Sequence, residues 1–199
     1  MKIIVIGASG TIGRPVADKL SERHEVIRVG RTQGDYQVDI ASTESIHALL
    51  QAVAPFDAVV SAAGTARFNP LEQLTDEDFA FSIGNKLLGQ VNLVRLGLAH
   101  MKDKGSFTLT SGTLSQEPML GSAAISLVNA ALEGFVRAAA LDLPRGIRVN
   151  VVSPPWVSET LEAMGRDGAT GMRADQVARA YIESVEGTAN GYVLDARKF

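Results

Sequence analysis

Lys2-Ile3-Ile4-Val5-Ile6-Gly7-Ala8-Ser9-Gly10-Thr11-Ile12-Gly13-Arg14 changes periodicity in mid-course. Ile3 to Ile6 is an unbroken β-branched run, which suits a strand covered on both faces, as in a parallel sheet. Glycines then recur at every third position, Gly7, Gly10 and Gly13. Beyond them Val16, Ala17 and Leu20 follow a helical period, and Pro15 falls in the first turn, where its missing N–H costs nothing. In a strand-to-helix turn of this kind the first glycine permits the tight bend, the second lets backbone N–H groups approach a pyrophosphate, and the third lets the helix close on the strand. The positive end of the helix dipole then faces the phosphate. Gly7, Ser9, Gly10, Thr11, Ile12, Gly13 and Arg14 are therefore expected to bind a nucleotide cofactor.

Outward from this turn, strands and helices alternate. The first helix is expected to run to about Glu22, followed by a strand at 25–29, a polar turn at 30–35 and a short strand at 36–39. Ser42 can cap a helix through Val53 that turns Ile46, Leu49, Leu50 and Val53 inward, and Pro55 ends it. A fourth strand is read over 57–64. Thr75 to Asp78 has the form of a capping box and opens a long helix to about Met101, with Lys102 and Lys104 at its negative end and Gly105 stopping it. A fifth strand over 106–110, a helix rich in small residues over 120–141, a sixth strand over 147–152, a loop spaced by Gly165, Gly168 and Gly171, a helix over 174–184 and a last strand over 191–194 complete the pattern. It predicts one α/β domain over 1–199, a doubly wound parallel sheet (Rossmann fold) of about seven strands with helices on both faces and ligands at the strands' carboxyl ends.

The composition narrows the function. The 199 residues are 46% hydrophobic, carry a net charge of −3 and contain no cysteine. There is no basic stripe for a nucleic-acid backbone, and thiol catalysis and zinc–thiolate sites are excluded. No uninterrupted apolar run approaches membrane-spanning length, and a strand beginning at Lys2 leaves no room for a signal peptide, so a soluble cytoplasmic protein is expected.

The order of landmarks resembles the short-chain dehydrogenase/reductase family along nearly the whole chain. Gly7-x-x-Gly10-x-x-Gly13 is similar to the first turn of its extended and atypical members. Asp39-Ile40 falls where the family's aspartate contacts adenine, and Ser61-Ala62-Ala63-Gly64 resembles its Asn-Asn-Ala-Gly turn. Gly146-Ile-Arg-Val-Asn-Val-Val-Ser-Pro154 is similar to its sixth strand and the start of its Pro-Gly turn, and Asn129-Ala-Ala-Leu-Glu-Gly134 to the segment that starts at its catalytic lysine. The resemblance implies a nicotinamide cofactor and a small carbonyl or alcohol substrate, with Pro154 and Val157 against the carboxamide and Thr160 near a phosphate. It also implies a homo-oligomer built on the two long helices.

The catalytic positions depart from the family. The alignment puts Ile125 at the tyrosine position and Asn129 at the lysine position. The family's serine falls at Gly112, with Ser111 and Thr113 beside it and Ser115 further on, and Ser111 is the candidate hydroxyl. The family's asparagine falls on Lys86, three residues before Gly89, with Asn85 adjacent. Lys86, Ser111 and Asn129 are thus the expected catalytic set, an amide and an ammonium having traded places. Neither the other tyrosines nor His24, His47 and His100 fall at the crevice. Trp156 is read as stacking over the cofactor, lining a substrate pocket or packing in the core.

The end of the second strand selects the cofactor. An acidic residue there would accept hydrogen bonds from the ribose hydroxyls of NAD. Val29-Gly30-Arg31-Thr32 offers none, and Arg31, with Arg14 nearby, suits the additional phosphate of NADP. The expectation is an NADP-dependent oxidoreductase with a rearranged site. Its alternatives are an NADP-binding sensor without catalysis and a scaffold that keeps the fold alone, the last disfavoured because a scaffold needs no phosphate-binding glycines.

Overall fold

A computed structural model describes residues 1–199. The strands are β1 (Lys2–Ile6), β2 (Glu25–Gly30), β3 (Tyr36–Gln37), β4 (Phe56–Ser61), β5 (Met101–Thr110), β6 (Arg148–Ser153) and β7 (Val193–Asp195). They form one parallel sheet in the order β3-β2-β1-β4-β5-β6-β7. The order reverses between β1 and β4, and a crevice opens at their carboxyl ends, where such folds bind ligands.

Alternation along β1 explains why its run is apolar throughout. Ile3 and Val5 face one layer, with Val16, Ala17 and Leu20 of α1 (Gly13–Ser21) and Val177, Ala178 and Tyr181 of α7 (Ala174–Glu186). Ile4 and Ile6 face the other, with Leu49 and Leu50 of α2 (Thr43–Val53), Leu93 of α4 (Gly89–Gly97) and Leu132 and Val136 of α5 (Ala123–Asp142). Helices therefore cover both faces, as the pattern predicts.

The helix caps follow the sequence. The Ser42 hydroxyl accepts the Ser45 N–H at 3.1 Å. Thr75 and Asp78 form a reciprocal capping box that opens α3 (Asp76–Ser82). A π-helical segment, Ile83–Leu88, joins α3 to α4 and carries Lys86. The wider turn, a feature often found at functional sites, leaves carbonyls without their ordinary partners, and the buried Gln90 side chain compensates by donating to the Lys86 carbonyl at 3.2 Å.

Several boundaries differ from expectation. The long helix stops at Gly97, and β5 starts at Met101, not Ser106. Met101 is buried and pairs with Phe56 across a bulge, so core packing and sheet register take this segment from the helix. Lys102 is consequently a strand residue paired with Asp57 at 3.1 Å, and Gly105 lies where any Cβ would strike Met101 and the Asp57 carbonyl. β3 ends at Gln37 because Asp39 leaves the ladder: its carboxylate accepts the Ala41 N–H at 3.0 Å in an Asx turn. β4 ends at Ser61, which frees residues 62–64 to line the crevice. The loop after Val157 contains an unforeseen short helix, α6 (Ser158–Ala163). Helix α5 has the length and apolarity of a membrane span, yet it lays Leu132 and Val136 in the core against the sheet and buries Val128.

Candidate active site

Two adjoining cavities share Ala62, Ala63 and Gly64. The first, of about 250 Å³, opens over the glycine turn and the end of β2 and is lined by Gly7, Ser9, Gly10, Arg31, Asp39 and Ile40 among others. The second, of about 290 Å³, lies over the ends of β4, β5 and β6, with Ile12, Lys86, Ser111, Ile125, Asn129, Pro154, Trp156, Val157 and Thr160 in its wall.

Backbone conformation builds the first cavity. Gly7 has a positive φ of 84°, and a Cβ there would lie 2.6 Å from the Ala62 carbonyl oxygen. A Cβ on Gly13 would strike the Gly7 carbonyl, so this third glycine lets α1 close on the turn. The N–H groups of Ser9, Thr11, Ile12 and Gly13 have no backbone acceptor within the chain and remain available to an anion.

Arg31 reaches the Asp39 carboxylate at 3.5 Å and is otherwise exposed. Arg14 donates to the Ser9 carbonyl at 3.4 Å, which sets a second guanidinium beside the same rim. Asn85 accepts the Thr65 N–H at 2.8 Å and so fixes the chain just after Gly64. Thr11, Gly13 and Arg14 lie outside the lining of both cavities. Ser61 does too: its side chain is fully buried, while its carbonyl accepts the Thr110 hydroxyl at 2.6 Å.

In the second cavity Lys86 points inward. It is 8% exposed, and its Nζ donates to the Ser111 carbonyl at 3.2 Å. Gly64, at φ 117°, clears a path for its stem, since a Cβ at residue 64 would lie 3.2 Å from Lys86 Cγ. Asn129 Nδ2 donates to the next carbonyl, that of Gly112, at 3.4 Å, and its Oδ1 is buried without a partner. The ammonium and the amide thus grip consecutive peptide groups at the end of β5. Lys86 is the single ionisable residue in the wall, and burial lowers its pKa from 10.5 to about 8.

A family model described as Enoyl-(Acyl carrier protein) reductase matches residues 10–190. The chain belongs to the short-chain dehydrogenase/reductase family. Among curated relatives it is 28% identical over 168 residues to an uncharacterized oxidoreductase, C922.06, of Schizosaccharomyces pombe, covering 76% of this chain and 65% of the relative. It is 31% identical over 138 residues to hydroxynaphthalene reductase arp2 of Aspergillus fumigatus, covering 67% of this chain and half of that protein. Both are therefore longer proteins of which this chain spans less than two thirds. Among solved structures, the protein lin1944 from Listeria innocua superposes with a TM-score of 0.94 at 43% identity over 98% of each chain. A small-chain dehydrogenase in complex with NADPH superposes at 0.86 with 25% identity, over 98% of this chain and 95% of that one.

Ile125, expected at the family's tyrosine position, adds only apolar surface to the cavity. The single Ser111 hydroxyl proton is taken up by Glu133 at 3.2 Å, with the Val152 carbonyl also within reach at 3.4 Å. Gly112, expected at the family's serine position, makes room for Asn129, since a Cβ there would lie 3.0 Å from Asn129 Nδ2.

Two residues central to the site escaped the sequence reading. Glu133, one helical turn beyond Asn129 and only 3% exposed, also accepts from Ser115 Oγ at 2.6 Å and Gln116 Nε2 at 3.4 Å and pairs with Arg137 at 3.5 Å. It ties the 111–116 loop to α5. Gln90 exchanges hydrogen bonds with the Thr110 backbone at 2.8 and 2.9 Å and ties the same strand end to α4. The available signal was a polar residue on the inward face of each helix, four positions after Asn129 and Lys86 respectively.

Proposed function

We propose that this chain binds NADPH across the two cavities and reduces a carbonyl substrate, with Lys86 as the proton donor. The carrying observation is the Lys86 ammonium, buried in the cavity wall beside Asn129. The residues present suit the cofactor: Gly7 and Gly13 allow a close backbone turn that a Cβ would break, four N–H groups at the start of α1 are without backbone acceptors, and Asn129 Oδ1 lacks the donor that a ribose hydroxyl would supply. Membership of an oxidoreductase family and likeness to an NADPH-bound dehydrogenase support the same reading.

Reduced nicotinamide, when bound, supplies hydride to the carbonyl carbon. As negative charge develops on the carbonyl oxygen, Lys86 gives it a proton from Nζ, and the Ser111 carbonyl keeps that nitrogen oriented. A donor whose pKa is about 8 is matched to that task near neutral pH. Ile125, Leu114 and Trp156 exclude water from the reacting atoms. Arg31 would leave Asp39 for the 2′-phosphate, a stronger acceptor.

Titration with NADPH and NADH tests the binding half. Tighter NADPH binding is expected, with Arg31→Ala costing about 1.5–3 kcal/mol of NADPH affinity and little of NADH affinity. Equal curves for the two cofactors in the unchanged protein would contradict it. The alternative, an NADP sensor without catalysis, is favoured by one observation: Ile125 carries no hydroxyl and the Ser111 hydroxyl is bound to Glu133. NADPH binding without turnover on any small carbonyl would select it.

The proposal includes a homo-oligomer through α3–α4 and α5. Leu88 and Leu127, each nearly half exposed, are the apolar residues such an interface would cover.

A further inference from the structure

A third cavity, of about 680 Å³, lies where the 70–71 and 118–126 segments face each other, and none of its lining side chains is ionisable. Leu71 and Leu120 on its walls are 69% and 95% exposed, and Met119 and Phe68 are each about two-fifths exposed. A contiguous apolar surface of this kind marks an interaction site. Two features connect it to the active site. The Phe68 ring sits on Gly121, where a Cβ would lie 3.0 Å from it, and meets Trp156 of the reacting cavity edge-on at a centroid distance of 6.1 Å. Ser126 lines the groove while its neighbour Ile125 lines the reacting cavity. Phe68 thus packs between Gly121 of the groove and Trp156 of the reacting cavity.

We propose that this groove holds the apolar tail of the carbonyl substrate, whose reacting end reaches Lys86 past Phe68 and Trp156. The proposal rests on the reductase reading for the position of the carbonyl. Volume and charge choose the occupant. Pockets for drug-sized ligands are roughly 300–1,000 Å³, so a reacting cavity of about 290 Å³ that must also admit the nicotinamide end leaves space for little more than the carbonyl itself. Whatever else the substrate carries has to extend outward, and the surface continuing in that direction is apolar and uncharged. Phe68, Leu71, Met119 and Leu120 would set chain-length preference.

Trp156 is the chain's one tryptophan and lines the reacting cavity against Phe68, so its fluorescence reports on that junction directly. The experiment titrates the NADP⁺-loaded protein with 2-alkanones from 2-butanone to 2-decanone, reading Trp156 emission and, in parallel, heat. Affinity is expected to rise about three- to fourfold per added methylene until the groove is filled. Leu120→Asp and Leu71→Asp, both at exposed positions, are expected to flatten that rise.

Affinity independent of chain length, or a slope unchanged in both variants, overturns the proposal. It is also overturned if light scattering shows a second copy covering the groove, released by Leu120→Asp. NADPH oxidation is measured separately. A chain-length slope without turnover would leave the groove assignment standing and defeat the reductase reading, whereas turnover without a slope would do the reverse.

Discussion

The cavity over the glycine turn and the cavity over Lys86 share residues 62–64 yet are made by different means. In the first, the parts that would meet a phosphate are N–H groups and missing side chains: Gly7 at positive φ, Gly13 against the Gly7 carbonyl, and unpaired amides at the start of α1. In the second, side chains form the site: the Lys86 ammonium, the Asn129 amide, and the Gln90 and Glu133 ties behind them. A backbone site tolerates almost no substitution at its glycines and almost any change elsewhere. A side-chain site can exchange its groups while the frame stays, and the proposed trade of places between Lys86 and Asn129 is an exchange of that kind.

The comparison breaks most visibly at Lys86. Lys86→Ala is expected to lower carbonyl-reductase turnover by about 10²- to 10⁴-fold, the usual contribution of a positioned proton donor, or roughly 3–5 kcal/mol of barrier. NADPH affinity should remain within a few-fold by calorimetry, since the first cavity is untouched. Turnover and affinity falling together would mean that the two ends are one unit.

Stability separates the ends further. Because burial lowers the Lys86 pKa from 10.5 to about 8, the folded and unfolded states are both charged below pH 8, and there the fold bears the full cost of the buried ammonium. Between about pH 8 and 10.5 the unfolded chain holds the proton that the folded state has released, and stability rises. Lys86→Met is therefore expected to stabilise the protein at pH 7, by roughly 3 kcal/mol at most, with the gain shrinking toward pH 10.5. Denaturant unfolding at several pH values checks this, and a gain independent of pH would contradict it.

Gly13→Ala should have the smaller and opposite effect. Its Cβ meets the Gly7 backbone, which cannot swing aside, so a loss of about 1–3 kcal/mol in unfolding free energy is expected, together with weaker NADPH binding. An alanine variant with unchanged melting and unchanged NADPH affinity would remove the cradle from the account.

The same contrast explains what the sequence made legible. The sheet could be read because Ile3–Ile6 is apolar on both faces and glycines punctuate its end, and both signals are local. The positions of Lys86 and Asn129 were legible through Gly89 and the Ala-Ala-Leu-Glu-Gly run, and the inward direction of Lys86 was not, because a lysine on a helix gives no local sign of burial. Glu133 and Gln90 stayed hidden for a related reason: their partners in residues 110–116 come from elsewhere in the chain. Register accounts for Met101, whose pairing with Phe56 outweighs its helical neighbours.

The most direct test of Lys86 as the proton donor is the pH profile of NADPH oxidation with a small ketone, kcat/KM being measured for the unchanged protein and for Lys86→Ala. Reduction requires the protonated amine, so the unchanged protein should lose activity as pH rises through about 8, while residual activity in Lys86→Ala should be low and show no such step. A profile flat through pH 8 in the unchanged protein, or full activity in Lys86→Ala, would contradict the claim.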